Sequence, residues 1–305
     1  MSKFRAFLVL IRPPNLFTAL ADIFAGFAAS ASIEHTLGNG IFEFVQHEMP
    51  WDSLAALSLS TVCLYAGGVV LNDFFDASID RLERPERPIP SGVIKPAEAG
   101  LFGALLLLTG VIAGFLSNTQ SGMVALVIAI LVVCYNKYSK HHGLAGPLNM
   151  GLCRGANLML GVSIFPDNLA TLAFLMIIPI IYIAAITMVS RGEVHGGNKS
   201  ALTLAVALYI LTMVMIASLG LVGVFSWWQS LPFLLLLIIT VLPPLIKAWR
   251  NSLPQLIGRA VKFGVIGLII LDAAIAAGFA GWFFGLLLLI LLPFSILLAK
   301  AFAVT

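Results

Sequence analysis

Apolar residues occur along this chain in long continuous runs that short polar segments separate. Each run is about 18–25 residues long, which is the length that a helix needs to cross the hydrocarbon core of a bilayer. The runs do not alternate as strands do, and backbone groups in lipid must pair within their own segment, so helices are expected. The runs lie near residues 14–33, 54–72, 97–117, 120–136, 145–165, 169–190, 200–225, 229–247, 260–281 and 283–303.

This pattern predicts an all-α fold, a polytopic membrane bundle of nine or ten transmembrane helices. The count is nine if the last two runs form one span and a re-entrant or interfacial segment, and ten if both cross the membrane. Residues 1–305 are predicted to form a single integral membrane domain, with an extra hydrophobic helix near 283–303. Composition agrees, because 60% of the residues are hydrophobic and 10% are charged, whereas soluble proteins have roughly 25% charged residues. The bilayer is therefore the expected partner, and no nucleic-acid partner is expected.

Basic residues fall in alternate connections between the runs, which predicts the orientation of the bundle. If the N-terminus is inside, every Lys and Arg between the spans falls on the inner side, as the positive-inside rule requires. The outer side is then left without Lys or Arg and carries Glu34, Glu43, Glu48, Asp52 and Asp167. We expect a multi-pass protein of a bacterial inner membrane, with the acidic segment near residue 76 at the cytoplasmic face.

An acidic segment directly follows the second apolar run. If the helix continues past Leu71, then Asn72, Asp76 and Asp80 share one face at intervals of four residues, with Asp73 beside them. Oxygen ligands of this kind suit Mg²⁺, which takes one or two carboxylates and completes its shell with water and phosphate oxygens. The alternative interpretation is a solvated acidic end of a helix. We predict a Mg²⁺ site at this position.

A basic loop with three prolines, residues 84–92, follows the acidic segment. Prolines stiffen such a loop, so Arg84 and Arg87 could be held over phosphate oxygens, which guanidinium groups bind in a bidentate manner. A positive-inside anchor explains the charge but not the stiffness. Lys137 and Lys140 follow the fourth run, where they are either interfacial anchors or further phosphate ligands.

Several polar residues lie inside the apolar runs. Asp22 is predicted to face a polar cavity, although a neutral, hydrogen-bonded carboxyl is the alternative. Arg154, about two turns into the fifth run with Asn157 near it, needs either a cavity anion or a carboxylate as its partner. The cysteines Cys63, Cys134 and Cys153 lie in apolar runs without CxxC spacing, so free thiols are expected.

A weak internal repeat divides the chain into two predicted four-helix halves. Pro-x-Asn opens the first run at Pro13 to Asn15 and the fifth run at Pro147 to Asn149. Each half then has a polar segment at the end of its second run, and the second of these segments is residues 190–199. Two such segments facing one cavity would form a pseudo-symmetric diphosphate site.

These residues resemble the UbiA superfamily of intramembrane aromatic prenyltransferases. The family signature NDxxDxxxD is matched by residues 72–80 and the RPxRPxPSG-like run by residues 84–92, and residues 12–15 are similar to the RPP-x-N opening. The resemblance covers about residues 8–280. It implies a helical bundle of about nine spans, Mg²⁺ dependence, and transfer of a prenyl group from a polyprenyl diphosphate to a small acceptor.

The second acidic motif of the family is degenerate in this chain. Where members usually have three aspartates, this sequence offers Ser190 and Glu193, with Asn198 nearby, so a second metal would be held more weakly. The segments 154–157 and 190–195 are most similar to a UbiA-like branch encoded in bacterial Ebo clusters (EboC-like), which is linked to the handling or export of small metabolites.

The leading hypothesis is Mg²⁺-dependent prenyl transfer to a small, aromatic acceptor. The catalytic and metal-binding candidates are Asp73, Asp76, Asp80 and Glu193. The substrate-binding candidates are Arg12, Asn15, Asp22, Asn72, Arg84, Arg87, Lys137, Lys140, Arg154, Asn157, Ser190 and Asn198. One alternative is a catalytically impaired carrier of lipids or metabolites, or a protein of metabolite export. Another is an ion-coupled transporter that uses Asp22, Arg154 and Asp272.

Overall fold

The computed structural model describes residues 2–34, 49–140, 142–191, 199–221 and 223–302. Within these ranges the chain is helical and contains no strand. The first half consists of α1 (Lys3–Leu10), α2 (Pro13–Glu34), α3 (Trp51–Phe75), α4 (Ala77–Glu83), α5 (Pro96–Ser117), α6 (Thr119–Cys134) and a π-helix (Tyr135–Ser139). The second half consists of α7 (Ala145–Val162), α8 (Asn168–Leu172), α9 (Ile177–Ser190), α10 (Lys199–Ser218), α11 (Trp227–Arg250), α12 (Pro254–Ala280), α13 (Trp282–Leu289) and α14 (Leu291–Phe302), with short 3-10 turns at Ala173–Met176 and Leu219–Leu221.

Nine helical stretches in the described ranges are long and apolar enough to cross a membrane. They are Pro13–Glu34, Trp51–Phe75, Pro96–Ser117, Thr119–Ser139, Asn168–Ser190, Lys199–Leu221, Trp227–Arg250, Pro254–Ala280 and Trp282–Phe302. The predicted all-α membrane bundle is confirmed. The fifth predicted run forms α7, a shorter helix of 18 residues that carries polar residues and is not among the nine.

The bundle is organised around α2 and α12, because these helices are the most buried of the nine. Eighty-three per cent of the most apolar stretch of α12 and 72% of that of α2 lie inside the protein. Small residues line the buried half of α12 from Ala273 to Ala280, so neighbouring helices can approach closely. The last apolar run is broken at Ile290 into α13 and α14, and Ser295 of α14 donates a hydrogen bond to the carbonyl of Pro14 (2.9 Å).

The short helix α1 was not expected from the apolar runs, because its eight residues are too few to span a bilayer. Ser2 caps its N-terminus by accepting a hydrogen bond from the amide of Arg5 (3.3 Å). One face buries Ala6 and Leu10 against Val70 of α3 and the loop that precedes α5. This helix therefore packs over the same end of α3 as the acidic segment.

Two glycines allow α2 and α7 to cross at close range. A Cβ atom at Gly26 would lie 2.1 Å from the carbonyl oxygen of Leu158, and one at Gly161 would lie 2.3 Å from that of Ile23. Backbone atoms cannot move aside as a flexible side chain can. Larger residues at either position would therefore push these two helices apart.

We expect Gly26→Ala to destabilise the protein by about 1–3 kcal/mol, as overpacking does in well-packed cores. The matched control is Gly223→Ala, because a Cβ atom there would meet nothing within 4 Å. Thermal unfolding of the detergent-solubilised variants measures the difference. Equal unfolding midpoints for the two variants would show that the crossing is not as close as described.

Candidate active site

A cavity of about 500 Å³ opens among α2, α3, α6, α7, α9 and α12. Polar and charged side chains line the part formed by the ends of helices, and these are Arg12, Asn15, Asn72, Asp76, Arg84, Arg87, Asn136 and Lys140. Apolar side chains from the interiors of helices line another part, and these are Leu64, Val69, Ile128, Val132, Ile183, Ile186, Val265 and Leu268. The same cavity therefore has a charged end and an apolar wall.

The acidic segment keeps a helical pitch although the helix is interrupted. Helix α3 ends at Phe75 and α4 begins at Ala77, so Asp76 lies at the junction. The amide of Asp76 still donates to the carbonyl of Asn72 (3.0 Å), and that of Asp80 to the carbonyl of Asp76 (2.9 Å). The predicted spacing of four residues is therefore retained, and Asn72 and Asp76 both line the cavity.

Each of the three aspartates is paired with a cation. Arg12 contacts Oδ1 of Asp73 through Nη2 at 2.7 Å. Arg87 contacts Oδ2 of Asp80 at 2.7 Å and Oδ1 of Asp73 at 3.4 Å, both through Nη1. Lys140 pairs with Asp76. These contacts offset the repulsion that neighbouring carboxylates would otherwise experience at a membrane boundary.

Arg12 lies at a backbone junction with an unusual conformation. It is the non-glycine residue with a positive φ in the described chain, at 47°, where an L residue is strained. This junction ends α1 and starts α2, and the carbonyl of Arg12 accepts a hydrogen bond from the amide of Asn15 (3.0 Å). The turn directs the guanidinium towards Asp73 and the cavity.

A π-helix brings the end of the fourth span to the cavity. In its wider turn the amide of Lys140 donates to the carbonyl of Tyr135 (2.9 Å), five residues earlier. Asn136 is buried and accepts a hydrogen bond from Nδ2 of Asn72 (3.0 Å). Its own amide nitrogen donates to the carbonyls of Gly68 and Val132, both at 3.1 Å.

The two lysines of this segment lie in different places. Lys140 lines the cavity, whereas Lys137 is exposed and its ammonium lies 5.0 Å from the ring centroid of Tyr138. The wider π turn separates the directions of these two side chains. Lys137 is therefore an interfacial cation, and Lys140 alone of the pair stays a candidate for phosphate binding.

A buried polar network connects α2, α3 and α7 beside the cavity. Arg154 contacts Oδ2 of Asp22 at 2.7 Å, and its remaining nitrogens donate to Thr18. Asn157 donates to Oδ2 of Asp22 (2.7 Å) and accepts from the hydroxyl of Thr61 (2.7 Å). The partner that Arg154 requires is thus a carboxylate. Asp22 itself does not line the cavity, because Arg154 and Asn157 cover it.

Asp272 of α12 adds a second carboxyl to this network. It is buried, and neither of its oxygens accepts a hydrogen bond from a donor in the described part of the chain. Its carboxyl lies near the carboxyl of Asp22 and the guanidinium of Arg154, whose charges act on it.

Some polar residues of the cavity were not identified from the sequence, although a signal for them was present. These are Thr61 and Tyr65, which line the cavity together with the predicted Asn72 and Asp76. The four residues are spaced by four, seven and four positions, as on one face of a helix. A polar stripe along an otherwise apolar membrane helix therefore indicated the cavity wall.

The second polar segment lies mostly outside the described residues. Glu193 and Asn198 fall within residues 192–198, outside the described ranges. Ser190 ends α9, and its hydroxyl donates to the carbonyl of Thr187 (3.0 Å) without lining the cavity. The role of this segment as a second metal site stays a prediction.

The three cysteines are free thiols, as predicted. Cys63 is buried, and Cys134 and Cys153 are partly buried. Cys153 lines the cavity, and its sulfur lies 3.6 Å from Oδ1 of Asn149.

The oxygen-bearing side chains of the cavity determine how it could hold Mg²⁺. The described residues contain no cluster of three or more His, Cys, Asp or Glu side chains arranged to hold a metal by themselves. Mg²⁺ is nevertheless usually bound through one or two carboxylates together with substrate phosphates. Asp76 and Asn72 present oxygens of this kind at the cavity, so they fit a metal that is shared with a phosphorylated substrate.

We expect Arg154→Ala to destabilise the fold by roughly 3–5 kcal/mol, because it leaves the buried carboxylate of Asp22 without its partner. The double variant Asp22→Asn, Arg154→Met should recover part of this loss, since no unpaired charge is left. Lys137→Ala, which removes an exposed cation, is the control. Thermal unfolding of the purified variants measures these effects, and a double variant as unstable as Arg154→Ala would contradict the pairing.

Comparison with known proteins places the chain in a family. Residues 44–263 match the UbiA prenyltransferase family. The digeranylgeranylglyceryl phosphate synthase of Methanosarcina mazei is 37% identical over 147 residues, which are 48% of this chain and 51% of that protein. The chain thus matches about half the length of that relative. Further curated relatives have the same name, and they give no support to the Ebo-cluster branch.

Solved structures show the same fold. One comes from work on digeranylgeranylglyceryl phosphate synthase in membranes, with a TM-score of 0.66, 23% identity, and coverage of 91% of this chain and 99% of that chain. Another is a UbiA homologue from Archaeoglobus fulgidus bound to DMAPP and Mg²⁺, with a TM-score of 0.63, 20% identity, and coverage of 90% and 98%. Since the family match extends over more than half of the chain, this protein belongs to the UbiA prenyltransferase family.

Proposed function

We propose that this protein transfers a geranylgeranyl group from its diphosphate to a glyceryl phosphate acceptor that already carries one such group. The observation that supports this most is the cavity in which cations and the Asn72–Asp76 face meet an apolar wall. Such a space suits a substrate with a diphosphate at one end and a hydrocarbon chain at the other. The names of the relatives supply the chemical class of the product.

The diphosphate is assigned to the charged end of the cavity. Arg12, Arg87 and Lys140 approach from three different segments, and Arg84 joins them without an ion pair in the described part of the chain. Preorganised cations stabilise the negative charge that develops on a leaving diphosphate. These side chains would therefore bind the ground state and assist departure of the leaving group.

Charge balance at this end favours a divalent metal as an additional partner. The four cations face three carboxylates, those of Asp73, Asp76 and Asp80, which leaves a surplus of one positive charge among these seven side chains. A single phosphate already carries about −1.5 to −2 at pH 7, and a diphosphate carries more. Bound Mg²⁺ would neutralise diphosphate oxygens as a Lewis acid, and Asp76 and Asn72 would hold it. The homologue from Archaeoglobus fulgidus binds DMAPP and Mg²⁺.

The acceptor is assigned to glyceryl phosphate chemistry, which replaces the aromatic acceptor expected from the sequence. A product called digeranylgeranylglyceryl phosphate contains two geranylgeranyl groups on one glyceryl phosphate. In the proposed reaction the allylic C–O bond to diphosphate breaks, and its electron pair leaves with the diphosphate. A hydroxyl oxygen of the acceptor forms the new C–O ether bond and releases its proton.

The buried network is assigned a supporting role in this reaction. Every nitrogen of Arg154 is engaged by Asp22 or Thr18, so this guanidinium has little freedom to follow a substrate. It holds α7 against α2 and fixes the wall between the charged and apolar parts. The bacterial setting and the cytoplasmic orientation of the cavity stay predictions.

A carrier without turnover is the second candidate. The observation in its favour is that Asp73, Asp76 and Asp80 are all engaged in ion pairs. A carrier would bind the prenyl diphosphate but would not release diphosphate from it.

We expect Asp76→Asn, or addition of EDTA, to lower diphosphate release from labelled geranylgeranyl diphosphate by roughly 100-fold or more, as loss of a transition-state contact does. Asp76 is chosen because it lines the cavity and pairs with Lys140. Glu83→Gln, an exposed carboxylate at the end of α4, is the matched control. Binding of the diphosphate without release by the unaltered protein would favour the carrier, and full activity in EDTA would reject the metal.

The acceptor is tested by offering two classes of acceptor to the same purified protein. With geranylgeranyl diphosphate as donor, we expect an ether product with geranylgeranylglyceryl phosphate and at least tenfold less product with 4-hydroxybenzoate. The physical reason is the long apolar wall, which suits an acceptor that carries a hydrocarbon chain. Mass spectrometry of extracted lipids measures both products, and preference for the aromatic acceptor would reverse the assignment.

A further inference from the structure

We propose that a pocket between α11 and α12 binds the phosphate headgroup of an anionic phospholipid of the surrounding bilayer. The pocket has a volume of about 300 Å³. Helix α11 contributes Pro243, Pro244 and Lys247 to it, and α12 contributes Arg259 and Phe263. None of these residues lines the cavity described above, so this site is independent of the proposed reaction.

Two consecutive prolines explain why a pocket exists here. Pro243 and Pro244 lie inside α11, and neither has an amide hydrogen. The carbonyls of Ile239 and Thr240, four residues earlier, therefore have no helical donor, and prolines bend a helix at such a position. Ile239 and Thr240 also line the pocket. The prolines thus open a gap in the packing at this point on α11.

The charge of the pocket indicates an anionic ligand. Lys247 and Arg259 are exposed and form no ion pair with any described residue, and the pocket contains no carboxylate. The Arg259 guanidinium lies 5.7 Å from the ring centroid of Phe263, which orients it without neutralising it. Basic pockets between membrane helices attract the headgroups of anionic lipids.

The position of the pocket favours a lipid over a soluble anion. Lys247 lies in the last turn of α11, and Arg259 lies near the start of α12, so both are at the same boundary of the bundle. Ile239, which precedes Lys247 in α11, is 68% exposed and offers an apolar surface on the side of the two cations that lies towards the middle of the helix. A ligand with a phosphate at the boundary and an acyl chain along α11 fits both parts.

The test compares lipid binding by the unaltered protein and two double variants. Lys247→Ala with Arg259→Ala removes the pocket cations. Arg250→Ala with Lys262→Ala removes two exposed cations nearby that do not line the pocket. Each protein is purified in detergent and mixed with phosphatidylglycerol, phosphatidylcholine or inorganic phosphate. Native mass spectrometry counts the lipids retained, and thermal unfolding reports on stabilisation.

We expect phosphatidylglycerol to remain bound to the unaltered protein and to raise its unfolding midpoint by roughly 2–4 °C at saturating lipid. The pocket variant should lose most of both effects, and the control variant should keep them. Equal retention of phosphatidylcholine would overturn the proposal, as would an equal loss in the two variants. Stabilisation by inorganic phosphate to the same extent would show a soluble anion site instead. If the pocket variant does not fold, the comparison of the two lipids on the unaltered protein decides: greater retention of phosphatidylglycerol than of phosphatidylcholine supports the proposal, and equal retention overturns it.

Discussion

The need to pair buried charge in a medium of low dielectric constrains this protein more than any other physical factor. A carboxylate removed from water is costly unless a cation or several hydrogen-bond donors compensate it. Four aspartates in the first half of the chain meet this requirement through ion pairs, and three of them have partners that are distant in sequence. Asp22 is bound by Arg154 of the other half, and Asp73 by Arg12 of the preceding segment. The helices are therefore held by charge as well as by apolar contact.

Helix α2 is where these constraints converge. It follows the junction that carries Arg12, it contains Asp22, and it crosses α7 at Gly26. The close crossing and the ion pair act together, because Arg154 can reach Asp22 only if the two backbones are close. Asn15 and Thr18 of the same helix line the cavity. The shape of the site therefore depends on how α2 packs in the bundle.

The sequence predicted the parts of this structure that depend on local periodicity. Apolar runs located the membrane helices, and the spacing of Asn72 and Asp76 located one wall of the cavity. The energetic argument that Arg154 needs a partner was correct, but the identity of that partner depends on tertiary packing. Helix α1 was missed because it is too short for a spanning pattern. The separation of Lys137 from Lys140 was missed because nothing in the sequence marks a π turn.

The sequence predicted the family of this protein but not the class of its proposed acceptor. The two depend on different parts of the cavity. In the proposed reaction the signature at residues 72–80 would bind the diphosphate end of the substrate. The acceptor would contact other surfaces of the cavity, where residues such as Thr61 and Tyr65 come from the middle of an apolar run. Side chains of this kind have a clear function only when the neighbouring helices are in place.

The π-helix at Tyr135–Ser139 also has a consequence for how the family can vary. A π turn holds one residue more than an α turn, so it is equivalent to a single-residue insertion in the helix. An α-helix advances by about 100° for each residue. A sequence that lost one residue here would regain a regular helix and would turn Lys140 away from Asp76. The charge complement of the cavity is thus set by the length of this segment as well as by its composition, and relatives of different length here should carry their cation elsewhere.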